Sequence, residues 1–228
     1  NCGVTLDENG HKVLVTEDIR NGNGRTVKSR YSTPNRVDKI KEPIQSIFWI
    51  MKDDALPPLV KITDPRLASI LGCTLMTKRS TAENTGAGAN LDALVIEPYA
   101  NPFRVYPLVE DYEKFKALFD KGVDCYIINT GDFLGKKVTK EVSLGVIETV
   151  VDGKAKFELF GGLPGMEYLP VEGYEVPELN GEYAELIRDR MQFRLDYLKA
   201  FNDANPEHQI PQDALESIKT IERFIDVL

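Results

Sequence analysis

The segment from residue 124 to residue 151 most constrains the fold of this chain, because it joins three local patterns in a fixed order. DCYIIN (124–129) is an apolar run typical of a buried strand. TGDFLGKK (130–137) is a loop with two glycines, and VTKEVSLGVIETVV (138–151) has the apolar spacing of a helix. The segment therefore predicts a strand, a glycine loop and a helix, with Thr139 as the helix N-cap.

The glycine loop is similar to a P-loop but departs from it in two ways. A P-loop has four residues between its first glycine and its Gly-Lys pair, and then needs a Ser or Thr hydroxyl for the metal. Here three residues separate Gly131 from Gly135, and Lys137 stands at the position of the hydroxyl. The loop is therefore not expected to wrap a β-phosphate, and a phosphate site has to lie elsewhere.

Strand patterns in the rest of the chain are short and irregularly spaced. Residues 4–15 predict a hairpin that turns at Asn9-Gly10. SIFWIM (46–51) is a continuous apolar run and predicts a strand buried on both faces. Residues 53–63 contain two prolines, through which neither a helix nor a central strand can continue. Residues 156–177 are interrupted by Gly and Pro and predict mostly irregular structure.

Four further segments predict helices, namely 64–79, 110–122, 181–201 and 211–228. The first has Asp64 as its N-cap and Pro65 as its first helical residue. The last has an apolar stripe made of Leu215, Ile218, Ile221, Ile225 and Leu228. Because strands and helices alternate without a regular βα rhythm, the fold class is predicted as α/β in its mixed α+β form, with a mixed sheet rather than a doubly wound one.

The charge balance limits the partners of the chain. With 28 basic and 36 acidic residues the net charge is −8, so no nucleic-acid partner and no membrane partner is expected. One region is nevertheless basic, because five cations lie within residues 20–36: Arg20, Arg25, Lys28, Arg30 and Arg36. This basic cluster predicts either a solvated loop or a local anion pocket.

The cysteines and histidines point to a reducing compartment and away from a zinc site. Cys2, Cys73 and Cys125 are odd in number and far apart, which suits reduced thiols and predicts a cytoplasmic protein. Only His11 and His208 are present and no Cys-x-x-Cys occurs, so no metal ligands are assigned in this chain. The first residue is not Met, and strand-like sequence follows almost at once, so we expect the chain to be a piece of a longer polypeptide.

Six motifs in order resemble the second half of the ATP-dependent phosphoenolpyruvate carboxykinases. VTLDENG resembles the family's V-T-V-x-x-D-G hairpin, SRYSTP (29–34) its T-R-V-S-Y-P and LPPLVKIT (56–63) its L-P-P-V-S-R-L-T. DCYIINTG (124–131) is similar to A-Y-L-V-N-T-G, GKKVTKEVS (135–143) to G-K-R-I-S-I-K-D-T and LPGMEYL (163–169) to L-P-G-V-x-x-x-I-L. Together they cover most of residues 3–201.

The resemblance implies a fold, a reaction and a division into domains. Residues 1–179 would form part of a carboxykinase-like nucleotide-binding domain, and residues 180–228 a C-terminal helical segment that packs on it. The full-length parent would be a gluconeogenic decarboxylating lyase that converts oxaloacetate and ATP to phosphoenolpyruvate, CO₂ and ADP with Mg²⁺ and Mn²⁺. The family's phosphate loop and metal ligands lie upstream of all these motifs. This chain is therefore expected to need that missing N-terminal part, to bind neither ATP nor metal alone, and to be inactive as a fragment.

The resemblance also assigns site residues. Arg30 matches the arginine that contacts the transferred phosphoryl group and the carboxylate substrate, so the basic cluster is expected to face residues 130–143. The nucleotide residues, which flank adenine and ribose, would be Thr130, Gly131, Lys137, Val138, Thr139 and Ser143. Lys137 stands where the family usually has an arginine, Thr139 replaces a serine, and Ser143 replaces a threonine.

One segment departs from the family and keeps two alternatives open. The family's T-E-P-x-P-T-F-S-A-C-F-G should fall near residues 82–100, where this chain reads AENTGAGANLDALVIEPYANPF. A divergent paralogue with another phosphoryl transfer or a nucleotide-sensing role is the first alternative. A non-catalytic interaction module, in which the Arg, Lys and Gly loops are solvated surface, is the second.

Overall fold

The structure is a computed structural model that describes residues 2–16, 39–78, 93–101 and 104–228. It divides into two compact units. One unit comprises Asn1–Pro43 and Lys78–Ala93, and the other comprises Ile44–Thr77 and Leu94–Leu228.

The first unit contains the predicted hairpin. Strands β1 (Cys2–Leu6) and β2 (Lys12–Thr16) pair antiparallel, from Cys2 opposite Thr16 to Leu6 opposite Lys12. Gly10 adopts a φ of 80°, which is the left-handed region that glycine tolerates. The carboxylate of Asp7 accepts hydrogen bonds from the backbone N–H groups of Asn9 and His11 at 2.9 and 2.8 Å. The prediction of a hairpin that turns at Asn9-Gly10 is confirmed.

The remaining strands of the described residues are β3 (Ser46–Met51), β4 (Leu59–Ile62), β5 (Met76–Lys78), β6 (Leu94–Ile96), β7 (Asp124–Asn129), β8 (Asp132–Phe133), β9 (Lys136–Lys137), β10 (Glu158–Leu159) and β11 (Met166–Tyr168). The helices are α1 (Pro65–Cys73), α2 (Leu108–Phe119), α3 (Lys140–Val151), α4 (Gly181–Ala204) and α5 (Gln212–Ile225). Pro98–Ala100 forms a single 3₁₀ turn.

The second unit is built on a mixed five-stranded sheet with the order β10-β11-β4-β7-β3. β3 runs parallel to β7, whereas β4 is antiparallel to both β7 and β11. β7 has two sheet neighbours, and its residues from Cys125 to Asn129 are all buried, which explains its continuous apolar sequence. The prediction of a mixed α+β fold with a mixed sheet is confirmed.

The prediction that β3 is buried on both faces is wrong. Within the described sheet β3 is the terminal strand, and Ile50 is 62% exposed. Trp49 and Met51 alone in this strand are fully buried. A continuous apolar run therefore does not distinguish an edge strand from a central one.

Two other segments contain strands that the sequence did not predict. β4 begins at Leu59, directly after Pro58, and lies between β7 and β11. The prolines do not interrupt it because they precede its ladder, and the carbonyl of Pro58 accepts the N–H of Asn129 at 3.1 Å. The segment 156–177, predicted as mostly irregular, contains β10 and β11.

Helix α1 begins as predicted but ends early. Asp64 caps it by accepting the N–H groups of Arg66 and Leu67 at 2.8 and 3.1 Å, and Pro65 is its first residue. The predicted end at residue 79 is wrong, because the helix ends at Cys73 and the chain continues as β5.

Helices α4 and α5 complete the core of the second unit. The predicted stripe on α5 is buried at Leu215, Ile218, Ile221 and Ile225, but Leu228 lies beyond the helix and is 65% exposed. The predicted domain division at residues 179 and 180 stays a prediction, and α4, which begins at Gly181, packs within the second unit. Among the described helices, none combines the length and apolar character needed to cross a bilayer.

We predict that stability falls at alkaline pH through the Cys73 thiol. Burial raises the pKa of Cys73 to about 12, although a hydrogen bond with Tyr99 opposes the shift. The unfolded chain therefore releases this proton from about pH 9, while the folded chain keeps it. The contribution of the thiol to the free energy of unfolding is fully present below about pH 9 and is lost as the pH rises above it. The loss is at most about 1.4 kcal/mol per pH unit for this thiol. Urea titrations at stepped pH should give a shallower decline for Cys73→Ala, and equal slopes would refute the prediction.

Candidate functional site

Two loops meet at one edge of the sheet, and they form the candidate site. Because β3 and β7 are parallel, their carboxyl ends lie at the same edge. β3 leads into residues 52–56, which we call the acidic loop, and β7 leads into residues 130–139, which we call the glycine loop. The carboxyl edge of parallel strands is a common place for ligands in α/β sheets.

Backbone hydrogen bonds join the two loops. The N–H of Thr130 donates to the carbonyl of Met51 at 2.9 Å, and the N–H of Leu134 donates to the carbonyl of Asp54 at 3.0 Å. Gly131 lies against Lys52, so that a Cβ at Gly131 would come within 3.2 to 3.3 Å of the Lys52 Cβ and Cα atoms. The loops are therefore held together along much of their length.

The buried side chain of Asn129 links the loops a second time. Its Nδ2 lies 2.8, 2.6 and 2.9 Å from the carbonyl oxygens of Asp53, Leu56 and Asp132, and its two N–H groups are shared among these three acceptors. Its Oδ1 accepts the N–H of Gly131 at 2.9 Å. One buried amide thus satisfies polar backbone groups of both loops.

The glycine loop folds as a tight hairpin. Asp132 and Phe133 of β8 pair with Lys137 and Lys136 of β9. The two residues of the turn, Leu134 and Gly135, have φ angles of 47° and 80°. Two successive positive φ angles are the conformation of a type I′ turn, in which Asn-Gly is the favoured pair.

The structure brings the predicted nucleotide residues together in three bonded pairs. Lys137 Nζ donates to the carbonyl of Thr130 at 3.2 Å, and the N–H of Val138 donates to the carbonyl of Gly131 at 2.9 Å. Ser143 Oγ donates to the carbonyl of Thr139 at 3.1 Å.

These residues differ in how far they face solvent. Lys137 and Thr139 are exposed, Thr130 and Ser143 are half-buried, and Gly131 and Val138 are buried. Thr139 also caps α3 by accepting the N–H of Val142 at 3.3 Å, so the prediction of Thr139 as the helix N-cap is confirmed. The predicted catalytic residue, Arg30, and the rest of the basic cluster lie outside the described residues.

Several backbone N–H groups of the glycine loop are already bonded inside the protein. Gly131, Leu134 and Val138 each donate their N–H to an acceptor inside the protein. A phosphate cradle requires such N–H groups to converge on the ligand. What this loop offers a ligand is therefore its exposed side chains, above all the cation of Lys137.

Tyr174 contacts the loop and was not singled out from the sequence. Its hydroxyl donates to the carbonyl of Lys137 at 2.6 Å. The ammonium of Lys136 lies 4.7 Å from the centre of the Tyr174 ring and donates to the carbonyl of Gly173. Tyr174 lies 37 residues beyond Lys137 in the chain, within a segment predicted as irregular, so no local pattern signals this contact.

An ionic cluster behind the acidic loop was also missed. Arg194 NH2 donates to Asp53 at 3.0 Å, and Arg190 contacts Asp53 at 3.3 Å and Asp54 at 2.6 Å. Burial lowers the pKa of the Arg194 guanidinium, against the opposing charge of Asp53. For Arg190 burial acts in the same direction, but the carboxylates of Asp54 and Asp53 raise the pKa above its usual range.

A sequence signal for part of this cluster did exist. Arg194 continues the buried stripe of α4 that runs through Ile187, Met191 and Leu198, and an arginine in such a stripe needs a buried partner. The pair Asp53-Asp54 follows an apolar strand and supplies carboxylates for it.

Comparisons with known proteins do not assign the chain to a family. No protein-family model matches the chain, and no curated protein matches it. In the described part of the chain, no group of three or more His, Cys, Asp or Glu side chains is placed to hold a metal ion.

We predict that Leu134→Asn stabilises the hairpin. A left-handed conformation costs an ordinary residue roughly 1–2 kcal/mol, and Asn tolerates it better than Leu. Leu134 is 43% exposed, so some apolar burial is lost, and the net gain should be smaller than the full conformational cost. We expect a gain of about 0.5–1 kcal/mol in the free energy of unfolding, measured by urea denaturation.

The matched control is Leu144→Asn, because Leu144 is similarly exposed but lies within helix α3. Asn has a lower helix propensity than Leu, so this variant should be slightly less stable. A Leu134→Asn variant that is no more stable than the wild type would contradict the prediction.

Proposed function

We propose that this chain is the C-terminal portion of an enzyme resembling the ATP-dependent phosphoenolpyruvate carboxykinases, and that its glycine loop forms the adenine-side wall of the nucleotide pocket. One observation carries the proposal. The loop follows a central strand at the carboxyl edge of the sheet and bonds the N–H groups of Gly131, Leu134 and Val138 internally. Lys137 and Thr139 stay exposed. A loop of this kind suits contact with a base and a ribose better than a phosphate cradle.

Lys137 and Ser143 each have a defined chemical use under this proposal. The Lys137 ammonium donates to the carbonyl of Thr130 and carries further N–H donors for ribose or phosphate oxygens. Ser143 Oγ donates to Thr139, which leaves its lone pairs free to accept from an amino group of the base. A lysine in place of the family's arginine lacks the flat face that stacks on adenine, so it supplies charge rather than stacking.

The proposed reaction of the parent is the conversion of oxaloacetate and ATP to phosphoenolpyruvate, CO₂ and ADP. Arg30, which lies outside the described residues, is proposed to contact the transferred phosphoryl group, because a planar guanidinium stabilises spread negative charge. Mg²⁺ and Mn²⁺ would supply charge neutralisation on the phosphoryl and enolate oxygens. Among the described residues no group of three or more His, Cys, Asp or Glu is placed to hold a metal ion, so the proposal gives those described residues nucleotide contacts and no metal contact.

We predict that Lys137→Ala in the full-length parent raises the KM for ATP about three- to tenfold and leaves kcat within about twofold, which is the pattern of lost uniform binding. Steady-state kinetics with varied ATP measures both constants. Lys140→Ala is the matched control, since Lys140 is exposed in the first turn of α3, three residues further on, and should change neither. A fall in kcat by orders of magnitude at constant KM would reject the assignment. ATP binding without turnover in the unmodified parent would favour the nucleotide-sensing alternative.

We also expect the 228-residue chain alone to show no turnover of oxaloacetate with ATP above the uncatalysed background. The physical reasons are that the glycine loop departs from a P-loop in spacing and lacks its metal-binding hydroxyl, and that the described residues contain no group of three or more His, Cys, Asp or Glu placed to hold a metal ion. A coupled assay for phosphoenolpyruvate checks this expectation. Turnover that is proportional to the concentration of the purified chain would refute it.

A further inference from the structure

Helix α4 reaches the acidic loop through three side chains. The hydroxyl of Tyr183 donates to the carbonyl of Ala55 at 3.0 Å. Arg194 NH2 lies 3.0 Å from Asp53, and both residues are only 1% exposed. Arg190 contacts both carboxylates, at 3.3 Å from Asp53 and 2.6 Å from Asp54. One helix thus grips the acidic loop over three consecutive residues.

The same acidic residues also hold the glycine loop. The carboxylate of Asp54 forms an ion pair with Arg190, and the carbonyl of Asp54 accepts the N–H of Leu134 at 3.0 Å. The carboxylate of Asp53 pairs with Arg194, and its carbonyl accepts the side-chain amide of Asn129 at 2.8 Å. Asn129, the last residue of β7, in turn accepts the N–H of Gly131 at 2.9 Å. Two short chains of hydrogen bonds therefore run from α4 through the acidic loop to the glycine loop.

The two chains differ in their exposure to solvent. The pair Arg194–Asp53 is buried, and removing one partner of a buried pair leaves an unpaired charge that threatens the whole fold. The pair Arg190–Asp54 is partly open, with side-chain exposures of 22% and 47%. Such a pair contributes little to global stability. Arg190 also contacts the buried Asp53 at 3.3 Å, but that carboxylate keeps Arg194 as a partner when Arg190 is replaced. The hydrogen bonds from Arg190 through Asp54 to Leu134 therefore affect mainly the conformation of the two loops.

We propose that Arg190 is a positioning residue which, through Asp54, fixes the glycine loop in the conformation seen here. For its effect on nucleotide use the inference rests on the proposed function, whereas for the position of the loop it rests on the hydrogen bonds alone. Arg190 touches no part of the glycine loop itself in the hydrogen bonds described, so its action passes through the carbonyl of Asp54. A helix in the C-terminal segment would then control a site formed by residues 130–143.

The first test measures amide hydrogen exchange by NMR on the 228-residue chain. Arg190→Gln should speed exchange of the Leu134 amide about three- to tenfold. The reason is that Asp54, whose carbonyl accepts the Leu134 N–H, loses its ion pair with Arg190. Exchange of amides in β7, which requires global opening, should stay unchanged. Arg190→Lys keeps a charge for Asp54 and should restore most of the protection.

The matched control and a second variant keep this test decisive. Arg188→Gln lies on the same helix and removes the ion pair with Asp226 at 3.0 Å, so it should leave Leu134 exchange unchanged. Asp54→Asn retains the carbonyl but weakens the pair, and should reproduce the effect of Arg190→Gln even if that variant folds poorly. An equal rise at all amides, or no rise at Leu134, would overturn the inference.

The second test measures the KM for ATP of Arg190→Gln in the full-length parent. We expect a rise of about three- to tenfold with kcat retained, and no change for Arg188→Gln. Selective exchange at Leu134 in a parent that does not use ATP would reject the proposed function but uphold the positioning role. Selective exchange with an unchanged KM in a parent that does use ATP would overturn Arg190 as a positioning residue for the site.

Discussion

The buried side chain of Asn129 is the interaction on which the candidate site depends. At the end of β7 its amide donates to carbonyls of Asp53, Leu56 and Asp132 and accepts the N–H of Gly131. An aliphatic side chain of similar size would remove all of these hydrogen bonds, although the carbonyl of Asp53 would keep the N–H of Leu56 at 3.1 Å. The hydrogen bonds of Asn129 reach both loops. The two loops that follow the parallel strands β3 and β7 are therefore joined to each other at the carboxyl edge of the sheet.

Local signals in the sequence predicted the local structure well. The hairpin at Asn9-Gly10, the cap at Asp64 and the cap at Thr139 all depend on residues within four positions of one another. Glycine at a positive φ and a side-chain oxygen that accepts a helical N–H are physical requirements that a short motif already contains. The strand, loop and helix of residues 124–151 belong to the same class, since each pattern is continuous in the chain.

Contacts between distant segments could not be predicted in this way. Burial of β3 depends on which strands lie beside it, and the strand pattern alone gave the wrong answer for Ile50. Tyr174 bonds the carbonyl of Lys137 across 37 residues, and Arg194 reaches Asp53 across 141. The arginine in the α4 stripe signals that a buried carboxylate exists somewhere, but only the fold shows which one it contacts.

The accounting of backbone N–H groups decides what the glycine loop can recognise. The N–H groups of Gly131, Leu134 and Val138 donate to acceptors within the protein, so these three cannot converge on an anion, and recognition there depends on side chains and shape. The loss of one residue between Gly131 and Gly135, relative to a P-loop, has its physical counterpart in the tight turn at Leu134 and Gly135. The exposed side chains do not hold this surface in place, so its rigidity depends on the buried contacts beneath the loops. On the positioning proposal, the contacts of α4 with the acidic loop would supply that rigidity, and a ligand of the glycine loop would meet a surface ordered before binding.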